Sequence, residues 1–161
     1  MGFATHLGPW LLGTVKNTTG TTAGTIRNMG ATTVTQSATT TVSDTTATTL
    51  FVIPAGAQIT NFFVDITTAY AGTTGNTITI QTSGGSSLAT VGSASTTPLA
   101  IGRATTTLTG AQVGTFVNVG TTDLIVQVVY ACAGTASGGA ATITCQYVVR
   151  GSDGVANPAS V

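Results

Sequence analysis

Thirty-eight of the 161 residues are threonine and none is glutamate, and this pairing constrains the fold more than any other feature of the chain. Threonine branches at Cβ, which restricts χ1 and favours pleated backbone over helix. Glutamate, lysine and leucine, the residues that build surface helices, are scarce. The chain is therefore expected to be all-β, with helix a minor component. Its length suits one domain whose hydrophobic core closes without help from a metal or a disulfide.

Only 5% of residues are charged and the formal net charge is zero, against roughly 25% charged residues in an ordinary soluble domain. A free monomer with so little charge repulsion tends to adhere to itself or to something else. Two readings fit: a small secreted β protein kept soluble by threonine hydroxyls, or a subunit whose surface is largely covered in an assembly. The second accounts better for the near absence of charge. Lys16, Arg27, Arg103 and Arg150 are scattered along the chain, so the clustered basic patch that nucleic-acid binding needs is not expected. Residues 1–13 show no basic leader and no sustained apolar core, which argues against a Sec-type signal peptide. No run reaches the roughly 18 apolar residues of a membrane span.

Three parts are expected: an extended N-terminal arm at 1–32, a β-sandwich domain at 33–150 and a C-terminal tail at 151–161. The arm carries two short apolar pieces, Trp10-Leu11-Leu12 and Thr25-Ile26, among widely spaced glycines. It cannot form a core alone, and an exposed Trp-Leu-Leu is costly, so the segment is expected to lie over its own domain or a neighbour's. An ordinary first strand followed by a Thr-Gly loop at 17–24 is the alternative.

From residue 33 the pattern becomes short strands: 33–42, 50–53 ending at the Pro54-Ala55-Gly56 turn, and 57–70. In the last of these, Phe62, Val64 and Ile66 share one face while Ile59 and Phe63 fall on the other. Either both faces are buried or a bulge between Thr60 and Phe62 resets the register. A loop is expected at 71–76, then a strand through Ile78 and Ile80, a turn at 83–86 and a strand at 88–91. Further short strands are expected at 99–101 and 115–119, with a threonine-rich run at 105–109 between them. A final hairpin pairs 124–132 with 141–149 across a loop at 133–140. If that loop is centred, Cys132 and Cys145 lie about four residues out of register, too far apart for a disulfide, and two buried free thiols result. Seven to nine strands with loops of three to eight residues suit a two-sheet antiparallel sandwich, with a jelly roll preferred. The Thr-x-Thr pieces recur at no fixed period, which disfavours a solenoid and a threonine-ladder ice-binding surface.

Little in the chain supports catalysis. His6 is the sole imidazole and sits in the arm, so a hydrolase triad or a His-rich zinc site could use only that residue, and a contact or hydrogen-bonding role in the arm is the better reading. The acidic residues Asp44, Asp65, Asp123 and Asp153 never share a loop, so neither a calcium site nor a carboxylate pair is expected. The glycine-rich pieces at 72–75, 83–86 and 137–140 are not followed by Gly-Lys-Thr or by a helical pattern, and read as turns. No catalytic residue, metal, cofactor or small-molecule substrate is expected. Asp65 lies opposite the Phe62, Val64 and Ile66 face, so it either faces solvent or meets a basic side chain at a subunit contact. Tyr130 and Tyr147 fall on the inward face, which argues against stacking platforms for glycans. Trp10, beside Leu11 and Leu12, is the best interface anchor. Lys16, Arg27, Pro54 and Asp65 complete the interface candidates.

The opening Gly8-Pro9-Trp10-Leu11-Leu12-Gly13-Thr14-Val15-Lys16-Asn17-Thr18, the linker Thr25-Ile26-Arg27-Asn28-Met29-Gly30, and the run from Phe51 through Pro54-Ala55-Gly56-Ala57 to Ile59 carry a resemblance. They look like small structural proteins of tailed bacteriophages, and in particular resemble capsid decoration, or cement, proteins. The resemblance implies a jelly-roll-like sandwich that assembles as a homotrimer on the outer surface of the capsid, having been made in the host cytoplasm. There it would clamp adjacent major capsid protein subunits against the pressure of packaged DNA. The matching positions are Pro9 to Lys16 and Pro54 to Ala57. A tail, fibre or head-vertex protein, or a glycan-binding virion module, is the rival expectation.

Overall fold

The computed structural model describes residues 32–93 and 98–149. Nine strands form two antiparallel sheets. They are β1 (Thr32–Thr41), β2 (Thr48–Ile53), β3 (Gln58–Thr68), β4 (Ala71–Thr82), β5 (Ser87–Gly92), β6 (Gly102–Ala104), β7 (Thr107–Leu108), β8 (Leu124–Ser137) and β9 (Ala140–Val149). One sheet has the order β1-β9-β3-β6 and the other β2-β8-β4-β5-β7.

The first strand pairs with the last, and the second with the second-last. The third pairs with the last again, and the fourth with the second-last. That winding is a jelly roll, with the two-residue β7 added at one edge.

Alternation decides the core. On β8, Val126, Val128 and Tyr130 point inward, and on β9 so do Ala141, Ile143, Cys145 and Tyr147. They meet Phe51 and Ile53 from β2, Phe62, Val64 and Ile66 from β3, and Ile78 and Ile80 from β4. Threonine supplies many opposite-face positions, among them Thr33, Thr35 and Thr39 on β1, Thr77 and Thr79 on β4 and Thr142 and Thr144 on β9, where its hydroxyl meets water while its branched Cβ suits the pleat. The register of β3 is reset as the bulge reading requires: Ile59 opposes Tyr147 and Asn61 opposes Gln146, which leaves Thr60 as the extra residue. Ile59 and Phe62 are thereby both buried.

Several expectations fail. The strands at the C-terminal end do not form a hairpin, because β8 belongs to one sheet and β9 to the other. Residues 133–137 continue β8, and Gly138 and Gly139 carry the chain across the sandwich, both at positive φ. The chain changes sheets here because each strand finds its partners far away in sequence: β9 lies between β1 and β3, and β8 between β2 and β4. Cys145 accordingly opposes Gln36 and Phe62, not Val128.

Residues 71–76, expected as a loop, are the start of β4, which follows β8 through two register shifts. Glycine permits that irregular path: Gly75 sits at φ 67°, and a Cβ on Gly72 would overlap the Asn76 side chain. Residues 115–119, expected as a strand, instead overlap a short helix, α1 (Val113–Val117), after a 3₁₀ turn at Gly110–Gln112. Tertiary contact overrides β propensity there. The helix sets the Phe116 ring edge-on to Phe62 at 6.4 Å between centroids, and the following Val119 N–H donates to the Ala57 carbonyl. Around 99–101 only Leu99 bridges, to Tyr70, and the strand proper starts at Gly102.

Candidate interaction surface

Among the described residues four side chains carry full charge: Asp44, Asp65, Arg103 and Asp123. Asp44 accepts from the Thr40 hydroxyl at 2.8 Å and from the Thr41 N–H at 2.7 Å, closing the turn after β1. Asp123 accepts from the Ala55 N–H at 2.9 Å and so ties the loop before β8 to the Pro54 turn. Asp65 and Arg103, opposite each other on β3 and β6, form a two-pronged pair with Nε–Oδ1 2.8 Å and Nη2–Oδ2 2.9 Å. The guanidinium also lies 4.9 Å from the centre of the Phe63 ring. Hydrogen bonding from Arg103 holds the Asp65 carboxyl below the usual carboxylate range, and the same bond raises Arg103. Every charge on the described surface is therefore engaged within the chain.

Hydroxyls, amides and aliphatic groups form the rest of that surface. On the outer face of the β1-β9-β3-β6 sheet, the Ser37 and Thr144 hydroxyls share a 2.8 Å bond, and Thr60 donates to the Gln146 carbonyl. On the outer face of the other sheet, Val52 and Ile125 oppose each other in register, 46% and 39% exposed. Gln127, Val129, Thr79 and Gln81 continue that face. Val113 and Val117 are exposed together, one helical turn apart on α1, and Leu108 on the edge strand β7 and Ile101 just before the edge strand β6 are exposed as well. Contiguous apolar groups on an uncharged face are what a protein contact requires.

Beneath the surface, one end of the sandwich is locked by polar bonds. The Tyr130 hydroxyl donates to Asn76 Oδ1 at 2.6 Å, the Asn76 amide donates to the Gly72 carbonyl, and the Tyr70 hydroxyl donates to the Thr40 carbonyl. Burial pushes Tyr70 and Tyr130 up to about 12 and does the same to the Cys145 thiol. Tyr70, Tyr130 and Tyr147 are all interior, so none is a stacking platform.

Of the interface candidates read from the sequence, Trp10, Leu11, Leu12, Lys16 and Arg27 lie outside the described residues. Pro54 begins a tight turn in which the Ala57 N–H donates back to the Pro54 carbonyl and Gly56 takes φ 73°. Asp65 finds its basic partner in its own chain. Sequence reasoning passed over Val52, Ile125, Val113 and Val117. For the first two the signal was present: alternation puts Val52 opposite Phe51 and Ile53, and Ile125 opposite Leu124 and Val126. Both cysteines are free, Cys145 buried and Cys132 half-buried. No group of three or more His, Cys, Asp or Glu among the described residues could hold a metal ion, and no helix among them is long and apolar enough to cross a membrane.

By strand order the domain is a jelly-roll sandwich, and its described surface carries four charged side chains, two in one ion pair and two hydrogen-bonded to hydroxyl or backbone N–H groups. No family model matches the chain, and no curated protein matches it. Among solved structures it is distantly similar to a chain of the cyanophage Pam1 capsid asymmetric unit, with 16% identity and a TM-score of 0.47, over 84% of this chain and 98% of that chain.

Proposed function

We propose that this protein is a non-enzymatic structural component of a virion, a decoration or cement protein that binds the outside of a phage capsid as a homotrimer. The observation that carries the reading is a described surface with only four charged side chains, each hydrogen-bonded within the chain, together with exposed valine, leucine and isoleucine on the helix and at the sheet edges. Such a surface suits a protein that spends its life covered. The sequence resemblance to phage decoration proteins gives that surface a partner, the major capsid protein.

A clamp of this kind works by linkage: it stabilises the shell to the extent that it binds the assembled lattice better than free subunits. Symmetry repeats each weak, uncharged contact, so modest contacts suffice. The test has two parts. Light scattering on the full chain should give three times the chain mass. Heads stripped of the protein should lose their DNA at a lower temperature than intact heads, and adding the purified protein back should restore them. A monomer removes the trimer, and stripped heads as stable as intact ones remove the cement role.

A further inference from the structure

We propose that the Trp10-Leu11-Leu12 segment docks on the outer face of the β2–β8 pair of its own chain, covering Val52 and Ile125. This contact holds whether or not the protein decorates a capsid.

Four observations converge. Val52 and Ile125 are directly opposed in register on adjacent strands that carry no charged side chain, and both are substantially exposed; Asp123, just before β8, is tied to the Ala55 N–H. Trp10-Leu11-Leu12 is the most apolar stretch of residues 1–31, and water-exposed indole and leucine surface of that size is costly. The described chain begins at Thr32, and only four residues on, Gln36 donates from Nε2 to the Val52 carbonyl at 3.2 Å. The chain before β1 therefore enters near β2: four residues at the rise of a strand put Thr32 about 13 Å from Gln36, whose side chain spans the remaining gap to Val52. Nineteen residues, 13–31, separate Leu12 from Thr32; they span at most ~65 Å, ample to round the sheet edge. Tethering at that range makes docking intramolecular, with the effective concentration advantage that follows. The rival apolar pair, Val113 and Val117, lies on a helix packed against β3, on the far side of β9 from β1.

Trp10 is the only tryptophan, so its fluorescence reports the contact alone. Emission and acrylamide quenching of the full-length protein are measured across a dilution series, for wild type, Val52→Lys/Ile125→Lys and Val113→Lys/Val117→Lys. Val52→Thr/Ile125→Thr keeps β-branching and guards against a folding defect, with circular dichroism checking the fold of each variant. The expected result is a blue-shifted, poorly quenched Trp10 in wild type at all dilutions. Both β2–β8 variants should red-shift the emission and raise quenching several-fold, the threonine pair less than the lysine pair, while the helix variant should resemble wild type. A water-exposed Trp10 in wild type overturns the proposal, as does protection unaffected by the β2–β8 variants or removed by the helix variant. Protection that disappears on dilution also overturns it, and assigns the segment to a second copy.

Discussion

Gly139 stands so close to Tyr70 that a Cβ added to it would overlap three carbons of the ring. The ring has little room to retreat, because its other neighbour is Tyr130, 4.9 Å away between centroids. Gly139 also takes φ 141°, a conformation side-chain-bearing residues avoid. The crossing from β8 to β9 thus depends on a missing side chain. Gly139→Ala should cost about 3 kcal/mol or more, combining backbone strain with overpacking. Gly138→Ala, also at positive φ but facing open space, should cost about 1 kcal/mol. Urea denaturation of the pair checks both.

Tyr130→Phe keeps the ring and removes only the hydroxyl that donates to Asn76 Oδ1. The buried acceptor then loses a short bond, and stability should fall by about 1–2 kcal/mol with an unchanged denaturant slope. Tyr147→Phe removes a bond to Gln36 at the half-buried sheet edge instead, where water can substitute, and should cost less.

The two thiols should separate by reactivity. Cys132 is half-buried with its S–H toward the Gly134 carbonyl, while Cys145 is wholly interior. Iodoacetamide at neutral pH should label Cys132 first, and Cys145 only when the protein unfolds; mass spectrometry before and after urea reads the order. Equal labelling in the native state would contradict the burial of Cys145.

Alkaline pH should destabilise the fold. The Cys145, Tyr70 and Tyr130 values are raised to about 12 by burial, against roughly 8.5 and 10 for the unfolded groups. Above those unfolded values the unfolded chain ionises first, so the stabilising contribution is complete below about pH 8.5 and shrinks as pH rises toward 12. In Cys145→Ala, stability followed from pH 7 to 11 should stay level until the tyrosines begin to ionise near pH 10.

For the Asp65–Arg103 pair the sign is opposite. Its carboxyl is lowered, so its contribution is present above the ordinary aspartate value and is lost as pH falls through the folded one. Both side chains are well exposed, so solvent and salt screen the pair. Asp65→Asn should leave thermal stability nearly unchanged while making the protein slightly more soluble at low salt, because it moves the formal net charge from zero to +1 and frees the exposed Arg103 guanidinium. Melting curves and salt-dependent solubility test the two halves.

Much of this architecture was legible in the residues themselves. Threonine abundance and the lack of helix formers specify an all-β chain. Alternation in 124–130 and 141–147 marks the inward faces, and the clash between the Ile59/Phe63 and Phe62/Val64/Ile66 sets allows a bulge between Thr60 and Phe62, which the structure places at Thr60. These are local properties, written every second residue. Pairing is not local. The inward stripes of β8 and β9 satisfy a hairpin as well as they satisfy two facing sheets, and only the competing partners β1, β3, β2 and β4 decide between them. The same holds for Val113–Val117, which turns helical because Phe116 must reach Phe62, and for Arg103, which meets Asp65 only once β6 lies beside β3. Composition determined that this surface would be almost free of charge; tertiary structure decided that the charges it does have are spent on one another and on backbone turns, since contacts between residues distant in sequence exist only after the sheets have formed.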